Sequence, residues 1–167
     1  MAYADYEFYK TSFFGNVVPE SDFMRFAERA SDFIDTLTFD RLADGLPGDE
    51  RQQRRIKKAV CAAADILYQI DIAEQHAAAA AATGTATTLP GGGTSTGIVT
   101  SVSSGSESRS YATPQQIGAS AKEWSAVYAA AGDIQKTNDL LLKAALPLLM
   151  GVRTDKGIPI LYAGFQG

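Results

Sequence analysis

The sequence predicts a mainly α-helical protein, a small helical bundle with an inserted β-hairpin and extended arms at its N and C termini. Apolar residues recur at steps of three and four over residues 20–37, 49–82 and 114–150, which is the spacing of amphipathic helices. A Gly- and Thr-rich stretch follows the second helical segment, and an alternating pattern typical of a β-hairpin comes after it. Both ends of the chain lack helical periodicity.

Composition and charge bound the class of protein. The 167 residues are 46% hydrophobic and 20% charged, which suits a single domain over residues 1–167 with a modest core. A net charge of −4 argues against a protein that wraps nucleic acid on a basic surface, but does not exclude one whose acidic wall would let DNA slide past. The sequence has no signal-peptide pattern and no apolar run of membrane-spanning length, so we expect it to be made in a reducing cytoplasm.

Residues 1–18 are predicted to form an N-terminal arm that is extended rather than helical, with a turn at residues 15–16. Its aromatic side chains need a surface to pack on, which is either the chain's own core or a neighbouring subunit. These aromatic residues are Tyr3, Tyr6, Phe8, Tyr9, Phe13 and Phe14.

Residues 19–83 are predicted to hold the first two helices. The first spans residues 20–37, and its apolar residues all fall on one face. Pro19 or Glu20 can open its first turn, and Ser21 or Asp22 can cap it. Asp49 is the candidate N-cap of the second helix, which continues through the alanines at residues 77–82.

The first half of the second helix carries the one basic cluster in the sequence. We prefer to interpret it as a solvated helix face with partial counter-charges just upstream. The alternative is a surface that contacts phosphate or an acidic partner. The cluster consists of Arg51, Arg54, Arg55, Lys57 and Lys58.

Residues 84–113 combine a Gly- and Thr-rich linker with the predicted β-hairpin, whose strands span about residues 97–103 and 106–112. An isolated two-stranded ribbon is marginal in water. The hairpin therefore needs a surface to lie on, either the helical body or another subunit.

A third helical region is predicted over residues 114–150, with Thr113 as its N-cap and an interruption at residues 132–133. Residues 151–167 contain several Gly and Pro residues, and their apolar run is too short for another helix. We therefore predict an extended C-terminal arm there.

No pattern in the sequence predicts catalysis. The single cysteine, Cys61, lies in an alanine-rich helical pattern, and the single histidine is His76, so neither an intrachain disulfide nor an ordinary zinc site can be assembled. The glycine triplet at residues 91–93 lacks the Lys and Ser or Thr of a phosphate-binding loop. We predict no enzyme activity, no catalytic residue, no cofactor and no bound metal.

Four segments, in order, resemble the head–tail connector, or adaptor, proteins of long-tailed bacteriophages. Together they cover most of residues 19–167, although none is a catalytic signature. Two features depart from the family: Ala163 follows Tyr162 where the family often has Arg, and the stretch over residues 77–97 is longer than usual. The four segments are PESDFMRFAERASDFIDTLTFDRL, RRIKKAVCAAADILYQ, GIVTSVSSGSESRSYA, and LLLKAALPLLMG followed by GIPILYAGF.

The resemblance implies a structural virion protein that is made in the host bacterial cytoplasm. Such a protein forms a ring, usually of twelve subunits, at the capsid vertex between the portal protein and the next stopper, neck or tail-completion protein. DNA passes through the central channel without sequence-specific binding, and no membrane is involved. The alternative that we keep open is a helical DNA-binding packaging factor, such as a small terminase subunit, because of the basic cluster.

Within this interpretation, we expect the hairpin to contact a neighbouring subunit and the C-terminal segment to contact the portal or the adjacent subunit. The expected contact residues are Val99, Ser101, Val102, Tyr111, Ile158, Ile160, Leu161, Tyr162 and Phe165.

Overall fold

The computed structural model describes residues 2–82 and 121–161, together with the backbone of four short segments between those ranges. The described part is mainly helical, which confirms the predicted class. Its helices are α1 (Tyr6–Thr11), α2 (Glu20–Thr38), α3 (Glu50–Ala82), α4 (Ala121–Ala130) and α5 (Ile134–Leu149).

The short segments between α3 and α4 have strand backbone. Their bounds are β1 (Thr87–Thr88), β2 (Thr94–Ser95), β3 (Ile98–Ser103) and β4 (Ser108–Ala112), and β3 pairs antiparallel with β4. Their side chains, residues 104–107 and the residues between these segments and the helices lie outside the described part. The inserted hairpin and its packing surface therefore stay predictions.

The chain divides into two compact units, one made of Met1–Gln69 with Gln135–Gly167 and the other of Ile70–Ile134. The prediction of a single domain stays a prediction. In the second unit, Gly132 has a positive φ of 76°, and its N–H donates to the Glu74 carboxylate at 3.1 Å. This glycine lies between α4 and α5, where an interruption is predicted; residues 113–120, which include the predicted N-cap, lie outside the described part.

The first unit has one hydrophobic core, to which both predicted N-terminal helices contribute. α2 covers the predicted range, and its apolar face is buried from Phe23 to Ile34. α3 begins one residue after Asp49, whose carboxylate accepts from the Arg51 N–H at 2.9 Å, as expected of an N-cap. The largest wholly buried side chains are Tyr9, Phe23, Phe26, Ile34, Leu42, Ile56, Leu149 and Ile160.

The prediction of an extended N-terminal arm is wrong. Residues Tyr6–Thr11 form α1, because the Asp5 carboxylate caps it by accepting from the Phe8 N–H at 2.7 Å. The helix brings the rings of Tyr6, Phe8 and Tyr9 onto the chain's own core, where the centroid of Tyr9 lies 4.7 Å from that of Phe23. Phe14, after the helix, stays exposed. Gly15 is required by this packing, since a Cβ there would lie 2.0 Å from the Tyr9 ring.

The buried Tyr9 hydroxyl joins three segments of the first unit. It donates to the Asp65 carboxylate of α3 at 2.6 Å, and it accepts from the N–H groups of Val17 and Val18 at 2.9 and 3.0 Å. The two valines lie just before α2. Burial is the main cause that raises the pKa of both Tyr9 and Asp65 above their ordinary values.

A second contact ties the N-terminal segment to α2. The Tyr3 hydroxyl donates to the Asp35 carboxylate at 2.6 Å, and the Tyr3 N–H donates to the buried Ser31 hydroxyl at 3.1 Å. Ser31 in turn donates to the Ala27 carbonyl one helical turn earlier, so its buried hydroxyl is satisfied.

The C-terminal segment differs from the predicted extended arm over the residues that are described. Arg153 forms an isolated antiparallel bridge with Pro159, and Gly157, with a φ of 78°, lies in the turn between them. The Ile160 N–H donates to the Val152 carbonyl at 3.1 Å, and both side chains are buried. The segment folds back because these two apolar side chains belong to the core; residues 162–167 lie outside the described part.

Replacing Tyr9 with Phe should lower the free energy of unfolding by about 2–4 kcal/mol, because it leaves two backbone N–H groups and the Asp65 carboxylate without their partner. Urea unfolding followed by circular dichroism measures the loss. Tyr6→Phe is the matched control in the same helix, and it should change stability by less than about 0.5 kcal/mol. Equal effects of the two substitutions would contradict this role for the Tyr9 hydroxyl.

Asp65 should make stability depend on pH in a defined direction. Its folded pKa is raised by burial, so its contribution is fully present below the unfolded pKa and is lost as the pH rises through the folded value. Asp65→Asn keeps an acceptor for Tyr9 but does not titrate. The difference in unfolding free energy between wild type and variant should therefore shift in favour of wild type as pH falls from 7 to about 4. A difference that does not change with pH would contradict this role for Asp65.

Candidate interaction surface

A cleft of about 320 Å³ opens between the segment after α2, residues 39–47, and the C-terminal turn, residues 154–158. Two hydrogen bonds hold its walls together. The Arg41 guanidinium donates to the Ile160 carbonyl at 3.2 Å, and the Gly48 N–H donates to the Asp155 carboxylate at 2.7 Å. Both walls belong to the first unit, so the cleft is a feature of that unit alone.

Phe39, at the edge of this cleft, has an unusual backbone conformation. It ends α2 with a left-handed φ of 56°, and the next N–H, that of Asp40, donates back to the Asp35 carbonyl at 2.9 Å. Glycine is the ordinary residue at this position because a Cβ costs free energy there. Asp40 also has a positive φ, of 57°. The chain therefore places a bulky side chain at a backbone conformation that favours glycine.

The Phe39 side chain is only partly used by its own subunit. It is 56% exposed, and its described ring partner is the Arg41 guanidinium at 5.4 Å. Ile158, across the cleft, is 39% exposed, and the acidic Asp40 and Asp44 are exposed beside them. We call Phe39, Asp40, Asp44 and Ile158 the Phe39 rim; it combines apolar side chains with negative charge.

The basic cluster divides into two groups with different roles. The Arg55 guanidinium donates to the carbonyl oxygens of Leu148 and Met150 at 2.9 and 2.5 Å, at the end of α5. These are the groups that a helix C-terminus leaves without a partner, so Arg55 caps α5. The Lys57 ammonium lies 5.5 Å from the centroid of the Phe8 ring, where it contributes to holding α1.

The other three basic residues face outward. Arg51 and Arg54 are exposed and Lys58 is half-buried, and within the described part of the chain their side chains make no ion pair or hydrogen bond. The Met150 carbonyl accepts from Arg55 of the same helix face, and Leu146 and Met150, at the end of α5, have exposed side chains. We call Arg51, Arg54, Lys58, Leu146 and Met150 the basic face; it combines apolar side chains with positive charge.

The expected contact residues fall into three groups. Ile160 is buried in the chain's own core and Leu161 packs against it, whereas Ile158 belongs to the Phe39 rim. Tyr162 and Phe165 lie outside the described residues. Val99, Ser101, Val102 and Tyr111 are described only as strand backbone, with Val99 opposite Tyr111.

The described residues offer few reactive groups. The Cys61 side chain is wholly buried, and burial raises the pKa of its thiol to about 12, so it is held as a neutral thiol. His76 is exposed, with Nδ1 3.4 Å from the Tyr128 hydroxyl. In the ranges that the structure describes, no three acidic, His or Cys side chains are grouped as metal ligands, and no helix combines the length and apolarity of a membrane span.

Sequence reasoning missed the Phe39 rim. Its signal was an aromatic residue followed by Asp directly after a helix, where glycine is typical of a helix end. The separation of Arg55 from its neighbours had no sequence signal, because the end of α5 is more than 90 positions away. Comparisons of the chain with models of protein families, with curated proteins and with solved structures find no match.

Arg55→Lys should lower the free energy of unfolding by about 1–3 kcal/mol, because an ammonium cannot reproduce the forked contacts to the end of α5. Arg54→Lys is the matched control, with the same change one residue away, and should cost less than about 0.5 kcal/mol. Thermal unfolding of both variants measures the difference. A larger loss for Arg54→Lys would contradict this division of the cluster.

Phe39→Gly should leave the free energy of unfolding within about 1 kcal/mol of wild type or raise it, because relief of the left-handed strain offsets the lost contacts. Phe26→Ala, at a wholly buried ring, should cost about 3–5 kcal/mol in the same urea titration. A loss at Phe39 as large as at Phe26 would show that the Phe39 ring is needed for folding.

Proposed function

We propose that this chain is a non-enzymatic structural subunit that assembles into a ring at a phage capsid vertex, between the portal and the next neck or tail protein. The observation that most supports the proposal is that one compact unit carries two exposed surfaces of unlike charge, the Phe39 rim and the basic face. A ring built head to tail needs two different surfaces on each subunit.

The resemblance to head–tail connector proteins is the reason for proposing this particular structural role. Three of the resembling segments correspond to α2 with the turn after it, the first half of α3, and α5 with the C-terminal turn. These pieces build the core of the first unit. In this proposal their buried faces act as a scaffold, and exposed side chains on loops, chain ends and the start of α3 make the contacts.

The portal and the next neck or tail protein are the proposed partners, in a virion assembled in the host cytoplasm. The hairpin residues Val99 and Tyr111 are proposed to contact a neighbouring subunit, and Tyr162 and Phe165 the portal or the adjacent subunit. The ring, twelve subunits in the resembling family, surrounds a channel through which DNA passes. The net charge of −4 is compatible with weak contact to phosphate.

A DNA-binding packaging factor is the second candidate, and the basic cluster is the observation that favours it. The structure weakens that support, since Arg55 and Lys57 are engaged within the subunit and only Arg51, Arg54 and Lys58 face outward. Three cations supply a modest share of the phosphate contacts that duplex binding uses. Tight duplex binding with a steep salt dependence would favour this candidate.

The test of the proposal is assembly on the portal. The purified chain is mixed with the portal protein of the same genome, cross-linked, and weighed by mass photometry. The proposal predicts a complex heavier than the portal by many copies of the 17.7 kDa chain. A chain that remains monomeric with no affinity for the portal would contradict it, whereas a monomer in the absence of portal would not.

A further inference from the structure

We propose that copies of this chain associate head to tail, with the Phe39 rim of one copy docked on the basic face of the next. This inference rests on the proposed ring and names the two surfaces that would form it. It goes beyond the resemblance, since Ile158 is the one hairpin or C-terminal residue expected to make contacts that also belongs to either surface.

Phe39 has a strained backbone conformation. Its left-handed backbone carries a free-energy cost that glycine would avoid, and 56% of the side chain contacts solvent. Among the described residues, the ring contact that Phe39 makes within its own subunit is with the Arg41 guanidinium at 5.4 Å. A ring that anchors a contact with another molecule accounts for both the residue type and its exposure.

The charged residues that define the two surfaces are opposite in sign. The rim presents Asp40 and Asp44 beside Phe39 and Ile158, and the basic face presents Arg51, Arg54 and Lys58 beside Leu146 and Met150. Arg41, Asp155 and Lys156 also line the cleft, so three carboxylates and two cations lie there, whereas the basic face holds three cations. The two surfaces therefore differ in the sign of their prevailing charge. Such pairing steers association and sets the register of a protein contact.

The apolar side chains of the basic face indicate the kind of partner that it binds. Leu146 and Met150 are 41% and 60% exposed beside the cations, and apolar side chains gain little against a phosphate backbone. The Phe39 rim of this same chain combines acidic and apolar groups, which is the chemistry that such a partner needs. Because the two surfaces differ, each contact leaves one of each free, so association continues past a dimer until a ring closes.

A charge-reversal experiment tests the pairing. Variant one carries Asp40→Asn and Asp44→Lys, and variant two carries Arg54→Glu and Lys58→Glu; none of these four side chains makes a described hydrogen bond or ion pair. Each variant alone should associate at least about tenfold more weakly than wild type. An equal mixture of the two should recover association, because each repulsive surface then meets an attractive one.

Sedimentation velocity over a concentration series at low salt measures association of the chain alone, and mass photometry measures it on the portal. Asp32→Lys is the matched charge control on the exposed side of α2, and should behave as wild type. Phe39→Gly should lose association while remaining folded. Phe14→Gly is its control, because Phe14 is 79% exposed with a φ of 60° but lies outside both surfaces.

Several outcomes would overturn the inference. They are a wild type that associates neither alone nor on the portal, charge-reversed variants that assemble as wild type does, a mixture that recovers nothing, and association that stops at a dimer. Loss of DNA binding in variant two, with self-association intact, would also overturn it by assigning the basic face to nucleic acid. Portal binding that survives in both variants without ring growth would leave the proposed function standing and support the named contact.

Discussion

The Tyr9 hydroxyl is the interaction on which the arrangement of the first unit depends. It satisfies two backbone N–H groups before α2 and one half-buried carboxylate of α3, so one side-chain atom sets the relative positions of α1, α2 and α3. Buried polar groups cost most when they are left unpaired, which makes such a network cooperative. With those helices placed, the turn after α2 and the C-terminal turn can meet, and the cleft with Phe39 at its edge follows.

Long helices could be predicted from periodicity, because a buried face recurs every three or four residues whatever it packs on. α2 and the start of α3 lie within one residue of their predicted bounds. The N-terminal aromatic residues could not be placed in the same way, because α1 is a six-residue helix whose formation depends on the Asp5 cap and on a cavity that α2 and α3 shape around Tyr9. The formation of α1 therefore depends on tertiary contacts rather than on its local sequence alone.

The candidate surface was harder to predict than the fold. The basic cluster was visible in the sequence, but the division between Arg55, which caps α5, and its outward neighbours depends on a contact between distant helices. Phe39 was visible only as an aromatic residue in a turn. Its significance depends on a backbone dihedral angle and an exposed fraction, and neither can be read from residue types alone.

Hydrogen–deuterium exchange before and after assembly can locate the proposed contact between copies, because it reports on backbone amides without altering the chain. We expect slower exchange in two stretches on assembly, residues 39–45 with 156–158 and residues 51–58 with 146–150. Exchange in the α2 core should stay unchanged, since those amides are already protected. Assembly that leaves both stretches exchanging as fast as in the dilute chain would contradict the account.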